Sequence, residues 1–169
     1  MMHKTWLADF SIRDASADDV PLILSFIREL AEYEKRSSEV VANETVIRQN
    51  LFGERRFAEV ILGEFRGDPV SFAVFFHNFS TFLGKPGIYL EDLYVQPGMR
   101  GLGVGKTMLS YLANLALERD CGRLEWSVLG WNQPALKFYD SIGAEPMSEW
   151  TVQRITGDSL ISLAKGHSV

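Results

Sequence analysis

The spacing of apolar residues along the chain changes period several times, and each change predicts a new element. Apolar and polar residues alternate over residues 10–13, which is typical of a half-buried strand. A capping-box sequence over residues 16–19 then opens a stretch with helical spacing, which predicts a helix ending near Tyr33. The same reasoning predicts a helix over 43–51, strands over 59–65, 70–76 and 88–95, a helix over 104–119, a strand over 124–129, a helix over 133–142, and strands near 151–155 and 159–164.

The predicted order is β-α-α-β-β-β-α-β-α-β-β, with Gly67 and Asp68 as a hairpin turn between the second and third strands. Helices and strands mixed in this way indicate an α/β or α+β fold built on one sheet. The 169 residues suit a single domain over residues 1–169. Apolar residues make up 46% of the chain, which is enough to form a hydrophobic core without disulfide cross-links.

Charge and cysteine content exclude several classes of protein. The chain has 17 basic and 22 acidic residues, a net charge of −5, and no clustered basic face, so we expect no nucleic-acid partner. No apolar run approaches the ~20 residues that span a bilayer, and residues 1–10 lack the apolar core of a secretory signal. We therefore expect a cytoplasmic protein without a membrane partner. The lone Cys121 cannot form an intrachain disulfide, and His3, His77 and His167 lack metal-ligand spacing, so no metal is expected.

The most informative stretch joins the predicted strand over 88–95 to the predicted helix over 104–119. Glycines alternate there at Gly101, Gly103 and Gly105. Glycine lets backbone N–H groups come close to a ligand, and the first turn of a helix attracts anions. We expect the pyrophosphate of a cofactor at this turn, although a glycine-rich connection without a ligand would show the same pattern.

Two other classes of glycine loop are excluded by spacing. A P-loop ending in Gly105-Lys106-Thr107 would need glycine where this chain has Arg100. A dinucleotide-binding fingerprint would need its third glycine where Lys106 or Met108 stands.

Two separate motifs carry a resemblance to the GNAT superfamily of N-acetyltransferases. Arg100-x-x-Gly103-x-Gly105 is similar to the superfamily pattern Arg/Gln-x-x-Gly-x-Gly/Ala. The run Trp131-Asn132-Gln133-Pro134-Ala135-Leu136-Lys137-Phe138-Tyr139, followed by Gly143-Ala144, resembles the second signature. The resemblance covers nearly the whole chain. Within the superfamily it is nearest to the diamine (spermidine/spermine) acetyltransferase-like group, on residues 28–34, 89–95, 100–105 and 131–134.

The resemblance implies a single GNAT-type domain and acetyl-coenzyme A as the acetyl donor. It also implies a mixed, mostly antiparallel sheet of about six to seven strands flanked by about four helices. The coenzyme would be held by Leu93, Tyr94, Val95, Arg100, Gly101, Leu102, Gly103, Val104, Gly105, Lys106, Asn132, Pro134, Ala135 and Tyr139. A backbone N–H in residues 93–95 would stabilise the oxyanion, and the pantetheine arm would pair with that strand.

Forming an amide from a thioester requires a neutral amine and a protonated leaving thiolate. Glu91 is the candidate base, because its strand ends beside the glycine turn. In a regular strand Asp92 points to the other face of the sheet, and a bulge like those of GNAT strands would alter this. Tyr139 is the candidate acid for the thiolate. The alternatives are that Glu91 is a surface carboxylate and Tyr139 a core aromatic residue.

The acceptor is expected to contact Tyr33, Glu34, Glu91 and Asp92, since carboxylates attract an ammonium group and an aromatic face adds cation–π attraction. We therefore expect an enzyme that acetylates a primary amine of a small molecule, namely a polyamine, a diamine or a lysine-like amino acid, through a ternary complex. Relatives with this pattern look like homodimers, and apolar residues in 151–164 would pair across the interface. An acetyltransferase of protein lysines or N-termini, or a non-catalytic acetyl-coenzyme A sensor, remain as alternatives.

Overall fold

The computed structural model describes residues 2–166. The chain divides after Ser127 into two compact units. The first unit contains the sheet and three helices, and the second contains two helices. His167 lies outside the described residues.

Six strands form one sheet in sequential order. They are β1 (Met2–Lys4), β2 (Phe10–Asp14), β3 (Glu59–Phe65), β4 (Asp68–Ser80), β5 (Lys85–Val95) and β6 (Leu124–Trp126). Neighbouring strands are antiparallel, except that β5 and β6 are parallel. The mixed, mostly antiparallel sheet is therefore confirmed. The β5–β6 ladder ends at the pair Leu90–Trp126, so β6 stops three residues earlier than predicted.

The described residues contain five α-helices. They are α1 (Val20–Tyr33), α2 (Glu44–Phe52), α3 (Val104–Glu118), α4 (Gln133–Ser141) and α5 (Gly157–Lys165). The predicted start signals are present, because the Asp19 carboxylate accepts from the Ser16 N–H at 2.7 Å and the Asn43 side chain accepts from the Val46 N–H at 3.0 Å. The first four helices end within one residue of their predicted limits.

The core of the first unit lies on both faces of the sheet. On one face the ring of Phe26 in α1 lies 5.5 Å from Phe72 and 5.8 Å from Tyr94, measured between centroids. Gly63 faces the opposite side, where a Cβ would come within 2.5 Å of the Phe10 ring and 3.0 Å of the Met108 sulfur in α3. Glycine at this position therefore allows α3 to pack closely on the sheet. Each large side chain fully buried here contributes roughly 1.5–3 kcal/mol to stability.

Two sequence-based expectations about the termini are wrong. β1 was not predicted, since three residues are too few to show alternation. The two predicted C-terminal strands do not form: residues 151–155 have no regular structure, and the second segment lies within α5. Leu160, Leu163 and Ala164 recur at i, i+3 and i+4, and Asp158 lies in the first turn, so this segment has a helical and not an alternating pattern.

Candidate active site at the end of strand β5

A β-bulge lies at the centre of the candidate site. The pairing of β4 with β5 passes from Val74–Asp92 to Phe75–Leu90, which leaves Glu91 as the extra residue. The strand is therefore not regular here, and the bulge that the resemblance to GNAT strands left open is present. Because the bulge inserts one residue, Leu90 and Asp92 lie on opposite faces of the sheet although they are two positions apart.

The bulge turns Asp92 toward the face covered by α1. Its partner Val74 belongs to the same core cluster as Phe26 and Tyr94. Burial, assisted by repulsion from the carboxylates of Glu91 and Glu34, raises the pKa of Asp92 to about 6. Burial also raises the pKa of Glu34, which follows the last residue of α1. The site therefore contains two carboxyl groups, of Asp92 and Glu34, whose ionised forms are disfavoured by burial.

Tyr94 anchors the strand just beyond the bulge. Its hydroxyl donates to Glu29 Oε2 at 2.8 Å, and its ring contacts Phe26 of the same helix. Burial and the hydrogen bond from its hydroxyl to Glu29 raise the pKa of Tyr94 to about 12, so the phenol keeps its proton. These contacts fix the distance between α1 and the end of β5, and hence the position of Asp92 relative to Glu34.

The glycine turn has the geometry of an anion cradle. Gly101 and Gly103 adopt positive φ angles of 77° and 91°, which favour glycine. Gly103 is the N-cap of α3 and provides no side-chain cap, so the N–H groups of the first turn stay available to a ligand. The Thr107 hydroxyl donates to the Gly103 carbonyl oxygen at 3.0 Å and stabilises this first turn. These residues fit a pyrophosphate group.

Arg100 links the glycine turn to Tyr33, one of the residues predicted to contact the acceptor. Its Nε donates to the Val95 carbonyl oxygen at 3.0 Å. Its guanidinium lies 4.5 Å above the Tyr33 ring and 5.8 Å from the Tyr94 ring. Arg100, which is predicted to bind coenzyme, and Tyr33, which is predicted to bind the acceptor, thus form a cation–π contact.

The second unit contains the remaining predicted site residues. Asn132 caps α4, because its side chain accepts from the Ala135 N–H at 3.3 Å, and Pro134 lies in the first turn. The Tyr139 side chain is half-buried, with its ring 5.4 Å from that of Phe138. The assignment of Tyr139 as acid stays a prediction.

Sequence reasoning identified Asp92 only as an acceptor contact and did not single out Glu29. The raised pKa of Asp92 comes first from burial under α1 and then from repulsion by Glu91 and Glu34, and burial of this kind cannot be read from the local sequence. Among residues 2–166 no group of three or more metal-ligating side chains could hold an ion. No helix in that range has the length and hydropathy needed to cross a membrane.

Comparison with known proteins is consistent with this geometry. The profile of the Acetyltransferase (GNAT) family matches residues 24–144, a range that includes the bulge, the glycine turn and α4. The chain belongs to the GNAT acetyltransferase family and is an acetyl-transferring enzyme.

Named relatives align with almost the full length of this chain. The chain is 36% identical to the thialysine N-epsilon-acetyltransferase of Bos taurus, over 94% of this chain and 99% of that protein. It is 30% identical to the human spermidine/spermine N(1)-acetyltransferase-like protein 1, over 96% of this chain and 25% of that longer protein. Among solved structures, an integron cassette protein of V. cholerae, VCH_CASS6, superposes with a TM-score of 0.79 at 27% identity, covering 93% of this chain and 98% of the other.

Proposed function

We propose that this enzyme transfers an acetyl group from acetyl-coenzyme A to a primary amine of a small cationic molecule, by direct attack. The acceptor would be a diamine, a polyamine or a lysine-like amino acid. The observation that carries the proposal is the half-buried carboxyl of Asp92 at the bulge, whose pKa is raised by burial and by repulsion from Glu91 and Glu34. The names of the thialysine and spermidine/spermine relatives support the same class of acceptor.

The glycine turn would hold the coenzyme. First-turn N–H groups of α3, from Val104 onward, would bind the pyrophosphate, with Arg100 and Lys106 adding positive charge. When bound, the coenzyme supplies an acetyl group activated as a thioester. Beyond Leu90, β5 pairs with β4 but not with β6 within the described residues, which leaves an edge for the pantetheine arm. The backbone of residues 93–95 would then supply the oxyanion donor.

Asp92 is suited to receive the proton of the acceptor. An alkylammonium has a pKa near ~10, so its deprotonation by a carboxylate of ordinary pKa is uphill by about 6 units. Raising the carboxyl pKa to about 6 removes roughly 2 of these units and makes the transfer about 100-fold less unfavourable. The remaining ~5 kcal/mol fits within the ~16 kcal/mol barrier of an enzyme turning over about 10 times per second.

Glu91, the base predicted from the sequence, becomes the second candidate in this proposal. It is exposed and is the extra residue of the bulge, so its carboxylate can reach solvent and an incoming cation. The raised pKa of the half-buried Asp92 favours Asp92 as the proton acceptor, directly or through water, with Glu91 and Glu34 attracting the ammonium groups. Tyr139 is predicted to protonate the departing thiolate. The proton lost by the ammonium group and the proton gained by the thiolate then each have an assigned partner.

The cluster of three carboxylates predicts a preference for acceptors with two ammonium groups. Diaminobutane should show a kcat/KM about 10- to 100-fold higher than butylamine, since a second ion pair in a partly buried site is worth about 1.5–3 kcal/mol. Glu34→Gln should remove most of that preference. Glu54→Gln, at an exposed site on the loop after α2, is the matched control and should retain it. The experiment measures release of the coenzyme A thiol, and equal kcat/KM values for both amines in the wild type would contradict this acceptor class.

We also propose that the enzyme is a homodimer, with residues 147–163 at the interface. This segment exposes large apolar side chains, including Trp150 at 70% and Val152 at 78% of their surface. Covering them would remove an unfavourable contact with water. Light scattering at tens of micromolar protein should give twice the chain mass of 19.1 kDa. A monomeric mass would refute the dimer.

A further inference from the structure

An exposed tryptophan lies beside the glycine turn. Trp6 belongs to the turn between β1 and β2, and 64% of its surface is accessible. An indole ring left in water contributes little to the folding free energy, since the hydrophobic gain comes from burial. The position of Trp6 therefore has no explanation in the packing of the fold.

The turn that carries Trp6 is held in place by several contacts. The Thr5 hydroxyl donates to the Phe10 carbonyl oxygen at 2.7 Å, across the turn. From the β3–β4 turn, the Arg66 N–H donates to the Asp9 carbonyl oxygen at 2.8 Å, and the Arg66 Nε donates to Asp9 Oδ2 at 3.0 Å. Trp6 is thus presented from an ordered turn and not from a loose end.

The ring of Trp6 borders the anion cradle. A Cβ placed on Gly103 would come within 3.3 Å of Trp6 Cη2, the outer edge of the indole. Gly103 is the residue from which α3 starts, and the N–H groups beside it are those that would hold the pyrophosphate. A ligand whose phosphates occupy this cradle therefore has an aromatic side chain next to it.

The order of the strands indicates which half of the coenzyme meets Trp6. β1 and β2 lie at one side of the sheet and β6 at the other, with β5 next to β6. Under the function proposed above, the pantetheine arm leaves the cradle along the β5 edge on the β6 side. The adenosine half then lies on the side of Trp6.

We propose that Trp6 is an adenine-binding residue, whose indole stacks on the purine of coenzyme A. This inference rests on the proposed use of acetyl-coenzyme A. Stacking of a base on an aromatic side chain is sequence-tolerant and strong enough to change affinity by about 5- to 50-fold. The effect requires the aromatic face alone, so phenylalanine should replace tryptophan with limited loss.

Calorimetric titration of the full-length protein with coenzyme A and with adenosine 3′,5′-bisphosphate tests the proposal, together with the acetylation rate from S-acetylpantetheine. Trp6→Ala should raise the Kd of coenzyme A and of adenosine 3′,5′-bisphosphate by the same factor, about 5- to 50-fold. Trp6→Phe should stay within about 3-fold of wild type, since a phenyl ring keeps a stacking face. The rate with S-acetylpantetheine, a donor without adenosine, should be unchanged in Trp6→Ala. Phe82→Ala removes an aromatic ring that is 91% exposed at the other end of β5, and should leave every value unchanged.

The outcomes separate this inference from the proposed function. A wild-type Kd for coenzyme A in Trp6→Ala would overturn the role of Trp6 alone. If Trp6→Ala lowers the rate with S-acetylpantetheine by the same factor, the assignment to adenine is wrong. If Trp6→Phe weakens the binding of coenzyme A as much as Trp6→Ala does, the stacking interaction is wrong. If the wild type itself does not bind coenzyme A, the proposed function fails, and this inference with it. A melting temperature of Trp6→Ala close to wild type without ligand, as expected for an exposed side chain, excludes misfolding as the cause of weak binding.

Discussion

Replacing Asp92 by asparagine is expected to stabilise the protein while it nearly abolishes turnover. The pKa of Asp92 in the folded protein is about 6, compared with an ordinary value of 3.8, so folding makes its ionisation harder. A folded pKa above the unfolded one means that stability falls as pH rises from 3.8 to 6, and the full penalty is present above pH 6. Asp92→Asn removes that penalty, which is about 1–3 kcal/mol for a shift of roughly 2 units in a partly exposed group.

The pH dependence of the melting temperature distinguishes removal of this ionisation penalty from a change in side-chain packing. The melting temperature of Asp92→Asn should exceed that of wild type by about 3–8 °C at pH 7.5, and the difference should vanish below about pH 4. The same substitution should lower kcat by roughly 10²–10⁴, the usual contribution of a positioned base. In the wild type, kcat/KM should rise with pH through about 6 as Asp92 ionises.

Glu91→Gln is the matched control, because Glu91 is adjacent and exposed. Because repulsion from Glu91 contributes to the raised pKa of Asp92, Glu91→Gln should raise the melting temperature by less than Asp92→Asn does. It should also raise the KM of a cationic acceptor and depress the rate most at low pH. If Glu91→Gln shows the large loss of kcat and Asp92→Asn turns over normally, Glu91 is the base and the role proposed for Asp92 is wrong.

Tyr139→Phe is expected to lower kcat by roughly 10²–10⁴, the usual contribution of a positioned general acid. The substitution keeps the half-buried ring beside Phe138 and removes only the hydroxyl. The affinity for acetyl-coenzyme A should therefore change little. Presteady-state measurement of thiol release at saturating acceptor isolates this step from binding.

Tyr111→Phe provides the matched control for loss of a phenol. Tyr111 is also half-buried, and its ring packs 5.0 Å from His3 on the exterior of α3. Its hydroxyl has no proposed role, so the variant should keep the wild-type rate. A near-wild-type rate in Tyr139→Phe with the best acceptor would mean that water or another group protonates the thiolate and that Tyr139 is a packing residue.

Most of the fold of the first unit could be predicted because its signals are local. The capping sequence before α1, the apolar stripe of α3 and the alternating glycines before it lie within a few residues of the elements they define. The prediction of two C-terminal strands is wrong because the apolar residues of the second segment recur with a helical period. Leu160, Leu163 and Ala164 fit a helix better than a strand.

The residues of the candidate site follow from the resemblance to GNAT proteins, and their roles stay predictions. That resemblance also left open a bulge near Asp92, and the structure has one at Glu91. The raised pKa of Asp92 arises mainly from burial, with repulsion from the neighbouring Glu91 and the distant Glu34, and the burial depends on tertiary packing that no local pattern indicates. The contact between Trp6 and Gly103 is also long-range and depends on the pairing of β1 with β2.

The central claim is that this chain moves an acetyl group from acetyl-coenzyme A to a primary amine of a small molecule. The most direct measurement is the initial rate of thiol release with acetyl-coenzyme A and a panel of diaminobutane, spermidine, ornithine, lysine and thialysine, compared with lysine-containing peptides. The product is identified by mass spectrometry. The account predicts saturable, amine-dependent release with one acetyl group added per thiol, little activity on peptides, and none in Gly103→Glu, whose side chain fills the cradle and repels the phosphates. Tight binding of acetyl-coenzyme A without amine-dependent thiol release from any of these small amines would contradict it.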